Sequence, residues 1–289
     1  MSETKDTNKA TNKKTENSRL LPAGVFDTHA HYIDDRFAAE FEGGADAAIS
    51  GCFAEGVSGI INVGTNIGNS KKAVAQAAKY PLMYAAVGIH PSDIGMSGGI
   101  DAELEAIAEM ISEKQVRRQN KIVALGEVGL DHHWQPYDDA LQKRYLDAQL
   151  SMARELDIPV IIHDREAHGD CFDAVLAHRG VRGVFHSYSG SAEMALELCR
   201  RGFYISFSGT LTFKNARHVR SVAEELPRDR ILIETDCPYL APEPYRGHLN
   251  YSAYAVYTAK MLGELLAIDT REAAELTAKN ARELFLESF

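Results

Sequence analysis

The chain has 289 residues, of which 45% are hydrophobic and 25% are charged, together with 22 glycines and 9 prolines. This composition is typical of a soluble globular protein and excludes a fibrous or largely disordered chain. The formal net charge of −10 argues against a long positive groove for duplex nucleic acid. The length permits one or two domains, since single α/β barrels often run to about 250 residues.

The chain opens with a polar stretch, residues 1–22, that is rich in serine, threonine, asparagine, lysine and glutamate. This stretch lacks the apolar run that a signal peptide or a membrane span requires. We therefore predict a disordered polar tail there and no association with a membrane.

The four cysteines, Cys52, Cys171, Cys199 and Cys237, are far apart and form no CxxC pair. Their spacing favours neither a disulfide framework nor a structural zinc knuckle. We interpret each as a small buried residue and predict a reducing, cytoplasmic location.

From residue 25 onward, short β-branched or apolar runs alternate with longer helical patterns, an order that predicts a parallel sheet with crossover helices. The eight runs are residues 25–27, 59–63, 83–87, 122–126, 159–162, 183–185, 203–206 and 231–234. Eight such units match a (β/α)8 TIM barrel in number and size. Because no linker or change of composition divides them, we predict one α/β domain over residues 23–289.

Helical periodicity fills the intervals between the strands, with apolar residues recurring at three and four positions. The clearest predicted helices cover residues 101–119, 138–156, 192–201, 251–266 and 270–286. Asp101 and Ser191 stand where N-caps are expected. The last helix is predicted to open at Thr270 without a full capping box.

Histidines and carboxylates follow five of the predicted strands. In a TIM barrel the loops after the strands converge on one face, where reactive groups gather. The polar residues at these strand ends are His29, His31, Glu127, His163, His186 and Asp236. We therefore predict that six potential metal ligands surround one barrel mouth.

His29 and His31 are separated by one residue, so on an extended strand both imidazoles project from the same side and can hold one cation. Four imidazoles and two carboxylates are more ligands than one tetrahedral cation uses. Two cations that share a bridging carboxylate would use all six. Such a pair activates water at neutral pH and neutralises charge in the transition state, so the sequence predicts a hydrolase.

The sequence resembles the TatD family of metal-dependent deoxyribonucleases, within the amidohydrolase-type barrels, from about residue 25 to the end. The resemblance rests on a series of motifs in order along the chain. They are FDTHAH at 26–31, VGIHP at 87–91, GEVGLD at 126–131, IIHDR at 161–165, FHSYSG at 185–190 and ETDCPYL at 234–240.

The resemblance implies a nuclease that cleaves DNA phosphodiester bonds, as a 3′ to 5′ exonuclease that prefers single strands. By analogy, the first metal would be held by His29, His31, Glu127 and Asp236. Glu127 would bridge to a second metal, which His163 and His186 complete. Asp236 would also orient or deprotonate the attacking water. Family precedent favours magnesium, with zinc or manganese as alternatives.

Four further residues are candidates for contacts with a substrate. Arg165 and Arg246 can each fork onto phosphate oxygens, or else pair with a neighbouring carboxylate. Ser189 precedes a predicted helix whose N-terminal N–H groups favour anions, although a plain N-cap explains this stretch equally well. His90 can contact a phosphate or donate a proton to the leaving oxygen.

The loop after the fourth strand contains Trp134, which could stack a base or pack over the barrel rim. Because the chain is acidic, we expect a DNA end to bind weakly, with a shallow dependence on salt and with the metals providing much of the attraction. No protein partner is evident.

Two other functions stay open. The same barrel could hydrolyse a carbon-centred ester or amide, as in deacylation of D-aminoacyl-tRNA. Many cyclic-amide hydrolases carry a carbamylated lysine where Glu127 stands here, which favours the nuclease. A catalytically silent scaffold is the third interpretation, against which all six ligand positions hold competent residues.

Overall fold

The computed structural model describes residues 24–287 and 289, so the predicted tail at residues 1–22 lies outside the described part. Eight parallel strands pair in chain order within that part. They are β1 (Phe26–Ala30), β2 (Gly59–Val63), β3 (Met83–Val87), β4 (Ile122–Asp131), β5 (Val160–Arg165), β6 (Gly183–Phe185), β7 (Tyr204–Phe207) and β8 (Ile231–Ile233).

Helices connect the strands, as the alternating pattern predicted. They are α1 (Arg36–Glu40), α2 (Gly44–Ala54), α3 (Ile67–Ala77), α4 (Ile100–Ile111), α5 (Lys114–Gln119), α6 (Asp139–Glu155), α7 (His168–Ala177), α8 (Ala192–Arg200), α9 (Arg217–Glu225), α10 (Ala255–Leu266) and α11 (Thr270–Phe285). This order of elements is the predicted (β/α)8 barrel. Among the described residues, we find no helix with the length and apolar character needed to cross a membrane.

The ring of strands is nearly closed where the chain beyond β8 meets β1. The Asp236 N–H donates to the His29 carbonyl at 2.9 Å, and the His31 N–H donates to the Cys237 carbonyl at 2.7 Å. The buried Asp27 carboxylate fastens the same seam, since it accepts from the Thr235 hydroxyl at 2.6 Å. These bonds hold the end of β1 against the residues that follow β8.

Alternate strand residues face two apolar clusters, because side chains alternate across a strand. In β5, Val160 and Ile162 belong to the large cluster, whereas Ile161 belongs to the smaller one. The smaller cluster also takes Phe26 from the start of β1 and Phe285 from the end of α11. The last helix therefore packs at the end of the barrel where the strands begin.

Strand β4 is longer than predicted and contains Glu127, which was expected just after a shorter strand. Beyond Gly126 the strand continues to pair with β5, as far as Asp131 opposite Arg165. This extension depends on pairing with the neighbouring strand rather than on local residue preference.

Of the two predicted N-caps, Ser191 is confirmed and Asp101 is wrong, while the last helix begins at Thr270 as predicted but has a capping box that was not. Helix α4 begins at Ile100 after Gly99, so Asp101 lies inside its first turn. The last helix has a full capping box, in which Asp269 accepts from the Glu272 N–H at 2.8 Å and Glu272 accepts from the Asp269 N–H at 3.1 Å. Ser191 caps α8 as predicted, accepting from the Met194 N–H at 3.3 Å.

The predicted helix over residues 101–119 is two helices, α4 and α5, because the chain leaves the helical conformation at Glu113.

The four cysteines are free thiols, and each is buried.

Candidate metal centre

The first group of candidate ligands lies where β1, β4 and the end of β8 meet. The Nε2 atoms of His29 and His31 are 3.0 Å apart. Glu127 Oε2 lies 3.3 Å from the first and 3.6 Å from the second. Asp236 Oδ1 lies 3.8 Å and 3.4 Å from the same two nitrogens. These four side chains form the cluster that we name site A.

The donor atoms of site A fit a cation. The Nδ1–H of His31 donates to the Val63 carbonyl at 2.9 Å, so in the neutral ring the Nε2 lone pair points into the cluster. His29 Nδ1 is buried and has no hydrogen-bond partner among the described residues. Two imidazole nitrogens directed at one point beside two carboxylates match the ligands that divalent transition metals take in proteins.

The second group gathers around the other oxygen of Glu127. Glu127 Oε1 lies 2.7 Å from His163 Nδ1 and 2.8 Å from His186 Nε2. His90 Nε2 is more distant, at 3.6 Å. We name Glu127, His163 and His186 site B. Each oxygen of Glu127 thus faces a different set of imidazoles, which is the arrangement of a bridging carboxylate.

Two buried carboxylates stand behind the histidines of site B, and sequence reasoning missed both. Glu234 Oε1 lies 3.2 Å from His186 Nδ1, and Asp131 Oδ2 lies 3.1 Å from His163 Nε2. A carboxylate on the far side of a histidine fixes the orientation of the ring and raises its basicity. The sequence does show that both acidic residues follow apolar strand segments. It does not show how close each of them comes to a histidine on another strand.

The carboxylates of the centre are held in their ionised forms. Burial alone would raise the pKa of Glu127, but its interactions with the surrounding histidines, that with His186 foremost, outweigh burial and hold that pKa well below its ordinary value. Burial likewise opposes ionisation of Asp236, whose pKa is lowered by the hydrogen bond with His31 and by the histidine charges. Ionised carboxylates are the forms that ligate metals.

The histidines respond in opposite directions. Burial would lower the pKa of His186, but the charges of Glu127 and Glu234 raise it well above its ordinary value. Burial, together with repulsion from His163, lowers the pKa of His90 to about 3. His90 is therefore neutral near pH 7. Because its Nδ1 accepts the Ser92 N–H at 3.0 Å, its Nε2 carries the hydrogen and is a donor.

Two backbone features let the ligands approach this closely. Gly129 has no side chain, and any side chain there would collide with the backbone of His163 on β5. Asp236 adopts a left-handed conformation with φ of 57°, which is unfavourable for residues other than glycine and often occurs at functional sites. The turn directs the Asp236 carboxylate toward site A.

The centre forms the floor of a cavity of about 710 Å³ at the carboxyl ends of the strands. Its walls are formed by His31, Ile33, Asp34, Thr65, Asn66, Asn69, His90, Ser92, Asp93, Glu127, Asp131, Trp134, His163, Arg165, His186, Asp236, Tyr239 and Leu240. Apart from His90, the polar residues contributed by the loops after β2 and β3 were not predicted from the sequence.

The candidate substrate contacts divide into two groups. His90 and Arg165 line the cavity. Ser189 and Arg246 are exposed and lie outside its lining. The Arg246 guanidinium carbon sits 4.3 Å from the centroid of the Phe213 ring.

A (β/α)8 barrel that carries histidines and carboxylates toward the carboxyl ends of its strands is typical of a metal-dependent hydrolase. The model of the family described as TatD related DNase matches residues 26–286. The chain therefore belongs to the TatD family.

Individual relatives agree with this assignment. The metal-dependent hydrolase YabD of Bacillus subtilis is 38% identical over 264 residues, covering 90% of this chain and 98% of the relative. The crystal structure of YjjV, a TatD homologue from Escherichia coli, superposes with a TM-score of 0.80 at 30% identity, covering 92% of this chain and 98% of that chain.

The likeness extends more distantly to a mutant organophosphorus hydrolase from Deinococcus radiodurans. The TM-score is 0.59 at 13% identity, covering 91% of this chain and 93% of that chain. Identity this low shows the shared fold alone.

Proposed function

We propose that the protein hydrolyses phosphodiester bonds of DNA with two divalent cations, as a 3′ to 5′ exodeoxyribonuclease that prefers single strands. The observation that carries this proposal is the Glu127 carboxylate, whose two oxygens face separate groups of histidines. A carboxylate so placed can bridge two cations that act together on one scissile group. The family described as TatD related DNase supports DNA as the substrate.

The proposed ligands are His29, His31, Glu127 and Asp236 for the first cation, and Glu127, His163 and His186 for the second. Two divalent ions held by these residues would supply a nucleophile at neutral pH and would neutralise charge that develops on the phosphoryl oxygens. Carboxylates suit magnesium, which we favour, whereas the imidazoles also suit zinc or manganese.

Three side chains of the cavity act on the substrate in this proposal. The ionised Asp236 orients the attacking water and accepts its proton. Neutral His90 directs its Nε2–H into the cavity and donates to an oxygen of the scissile phosphate. Arg165 donates to a second phosphate oxygen with its planar guanidinium.

The charge of the cavity favours a short, single-stranded end over a long duplex. Among the described residues that line the cavity, Arg165 is the only arginine or lysine, beside five aspartates and glutamates. Two divalent cations would offset most of that negative charge. Few phosphates can therefore be neutralised by side chains, and we expect binding that depends weakly on salt.

Two other predicted contacts require a longer substrate. Ser189 and Arg246 lie outside the cavity lining, so they can meet phosphates only where a strand extends beyond the cavity.

We also propose that residues 23–289 form one domain and that the protein acts in the cytoplasm, where free thiols such as the four buried cysteines persist.

A second candidate is hydrolysis of a carbon-centred ester or amide, as in a D-aminoacyl-tRNA deacylase. The observation that favours it is the presence of Asp34 and Asp93 in the cavity wall, since carboxylates there can bind the ammonium group of an aminoacyl ester. The same cations and the same His90 donor would serve that reaction.

The test offers 3′-labelled and 5′-labelled single and double strands, and separately an aminoacyl-tRNA ester, to enzyme supplied with Mg²⁺, Mn²⁺ or Zn²⁺. We expect nucleotides to be released from the 3′ end of single strands, and EDTA or Glu127→Ala to abolish the release. Release of the amino acid without loss of DNA would establish the second candidate instead.

A further inference from the structure

Two aromatic side chains stand exposed at the cavity that holds the metal centre. Single exposed hydrophobic side chains are common on protein surfaces, whereas exposed apolar surface that lines a groove marks a binding site. Trp134 is 61% exposed and Tyr239 is 45% exposed, and both line the cavity. The other two exposed large hydrophobic residues in the described part of the chain, Leu82 and Met96, do not line it.

Trp134 is anchored to site B. The Asp131 Oδ1 atom accepts from the Trp134 N–H at 3.3 Å and from the His133 N–H at 2.9 Å. The other oxygen of Asp131 lies 3.1 Å from His163 Nε2. The Arg165 guanidinium carbon lies 5.4 Å from the centroid of the indole. The ring is thus an exposed surface whose position is tied to a candidate ligand of the second cation.

Tyr239 is anchored to site A in the corresponding way. Its N–H donates to the Asp236 carbonyl at 2.9 Å, and its hydroxyl donates to Asp34 Oδ2 at 2.6 Å. The Arg36 guanidinium carbon lies 5.7 Å from the ring centroid. Each group of candidate ligands therefore has one exposed aromatic ring attached to it, and each ring has an arginine beside it.

We infer that Trp134 and Tyr239 are stacking platforms for unpaired bases on either side of the scissile phosphate. The inference rests on the proposed function and adds that the enzyme recognises the unpaired bases of its DNA substrate. Aromatic side chains hold bases of any sequence, because every base presents a π-face. In a duplex those faces are covered by neighbouring pairs, so a base must fray before it can reach either ring.

Because the cavity is acidic, base stacking is needed to give affinity for a DNA strand. Since Arg165 is the only arginine or lysine that the described part of the chain contributes to the lining, side chains there can neutralise few backbone phosphates. The affinity for a strand must then come from the cations at the phosphate and from the faces of the bases. A preference for unpaired ends follows from the same two sources.

The chain offers a direct probe, since Trp134 is its only tryptophan. The holoenzyme in Mg²⁺ is titrated with a phosphorothioate-linked hexathymidylate, and separately with an abasic hexamer that has the same linkages. We expect the hexathymidylate to quench the tryptophan fluorescence, and the abasic strand to bind roughly 5- to 100-fold more weakly. Equal affinity for the two strands would overturn the inference.

Variants then separate binding from chemistry. Trp134→Leu and Tyr239→Leu are expected to raise KM for single strands roughly 5- to 50-fold with kcat within about twofold of wild type. Trp134→Phe and Tyr239→Phe keep a ring and should restore most of the loss. Leu82→Ala, a change at an exposed residue that does not line the cavity, is the matched control and should leave KM unchanged.

Failure of this inference can be told from failure of the proposed function. If wild type cleaves single strands and both leucine variants show an unaltered KM, the stacking role of the two rings is wrong and the proposed nuclease function is supported. If wild type cleaves no DNA with any of the three metals, the proposed function is wrong, and the fluorescence titration still reports whether bases stack. Metal content and thermal midpoint of each variant confirm that it is folded.

Discussion

The two ends of the barrel are built from opposite kinds of residue. Where the strands begin, Phe26, Ile61 and Leu232 form an apolar cluster that Phe285 of α11 completes. Where the strands end, buried imidazoles and carboxylates crowd around Glu127. A single strand contributes to both ends, since β5 places the apolar Ile161 in the cluster and the candidate ligand His163 two residues later.

This contrast separates stability from chemistry. Burial of apolar side chains contributes favourably to folding, whereas buried charges cost free energy that their partners only partly recover. We call the end where the strands begin the closed end, and the end with the metal centre the mouth. Apolar packing at the closed end provides the stability that offsets the strained turn and the clustered charges at the mouth. If the separation is real, substitutions at the two ends should have different consequences.

The largest expected effect is loss of hydrolysis on changing Glu127, the proposed bridging carboxylate. Glu127→Gln keeps the size of the side chain but removes the charge, so we expect activity to fall roughly 10³-fold or more, since cations supply several kcal/mol of transition-state stabilisation. Bound metal per chain, measured by elemental analysis, should fall as well. Glu264→Gln, on the exposed face of α10, is the control and should change neither quantity. Full metal content in Glu127→Gln would contradict the bridge.

The closed end should respond in stability alone. Phe285→Ala removes a ring that is 1% exposed, and we expect the free energy of unfolding in urea to fall by about 3–5 kcal/mol because of the cavity left behind. The milder Phe285→Leu serves if the alanine variant does not fold. Below its melting midpoint, either variant should keep kcat and KM within about twofold of wild type. A large loss of kcat in folded protein would show that the two ends are coupled.

A smaller effect is expected at the carboxylate behind His186. Glu234→Gln should weaken binding at the proposed second metal site by about 10- to 100-fold, since loss of such outer partners lowers metal affinity by that amount. Titration of metal-free protein in competition with a chromophoric chelator measures this. The affinity of site A should change less, and equal weakening of both sites would argue against a role specific to His186.

The smallest effect is expected at the start of α11. Asp269→Ala removes the side chain that accepts the Glu272 N–H, and we expect the protein to lose about 1 kcal/mol of stability, as at other N-caps. Thermal unfolding monitored by circular dichroism measures the change, and Asp269→Asn should retain most of the stability. Activity at the distant mouth should be unaltered, so a change in KM would again link the two ends.

Much of the fold could be predicted because its signals are local. The run of Val160, Ile161 and Ile162 specifies a buried strand from its own residue types. The order of the strands follows from the alternation with helices, since a parallel neighbour requires a crossover. The capping box at Asp269 and Glu272 was equally local, and it was missed because Thr270 rather than Asp269 was taken as the capping residue.

Contacts between strands were harder to predict. The extension of β4 past Glu127 depends on pairing with β5, which no local pattern of GEVGLD specifies. The carboxylates of Asp131 and Glu234 face histidines 32 and 48 positions away along the chain. The positions of Ser189 and Arg246 outside the cavity lining depend in the same way on how the loops fold back.

The sequence by itself determined which residues can ligate a metal and placed them at the ends of strands, because residue chemistry and local periodicity are carried by neighbouring positions. Only the tertiary structure decided that one carboxylate faces two groups of imidazoles, and which aromatic rings remain exposed beside them. Those relations are distances between segments far apart in the chain, and the closure of the barrel sets them.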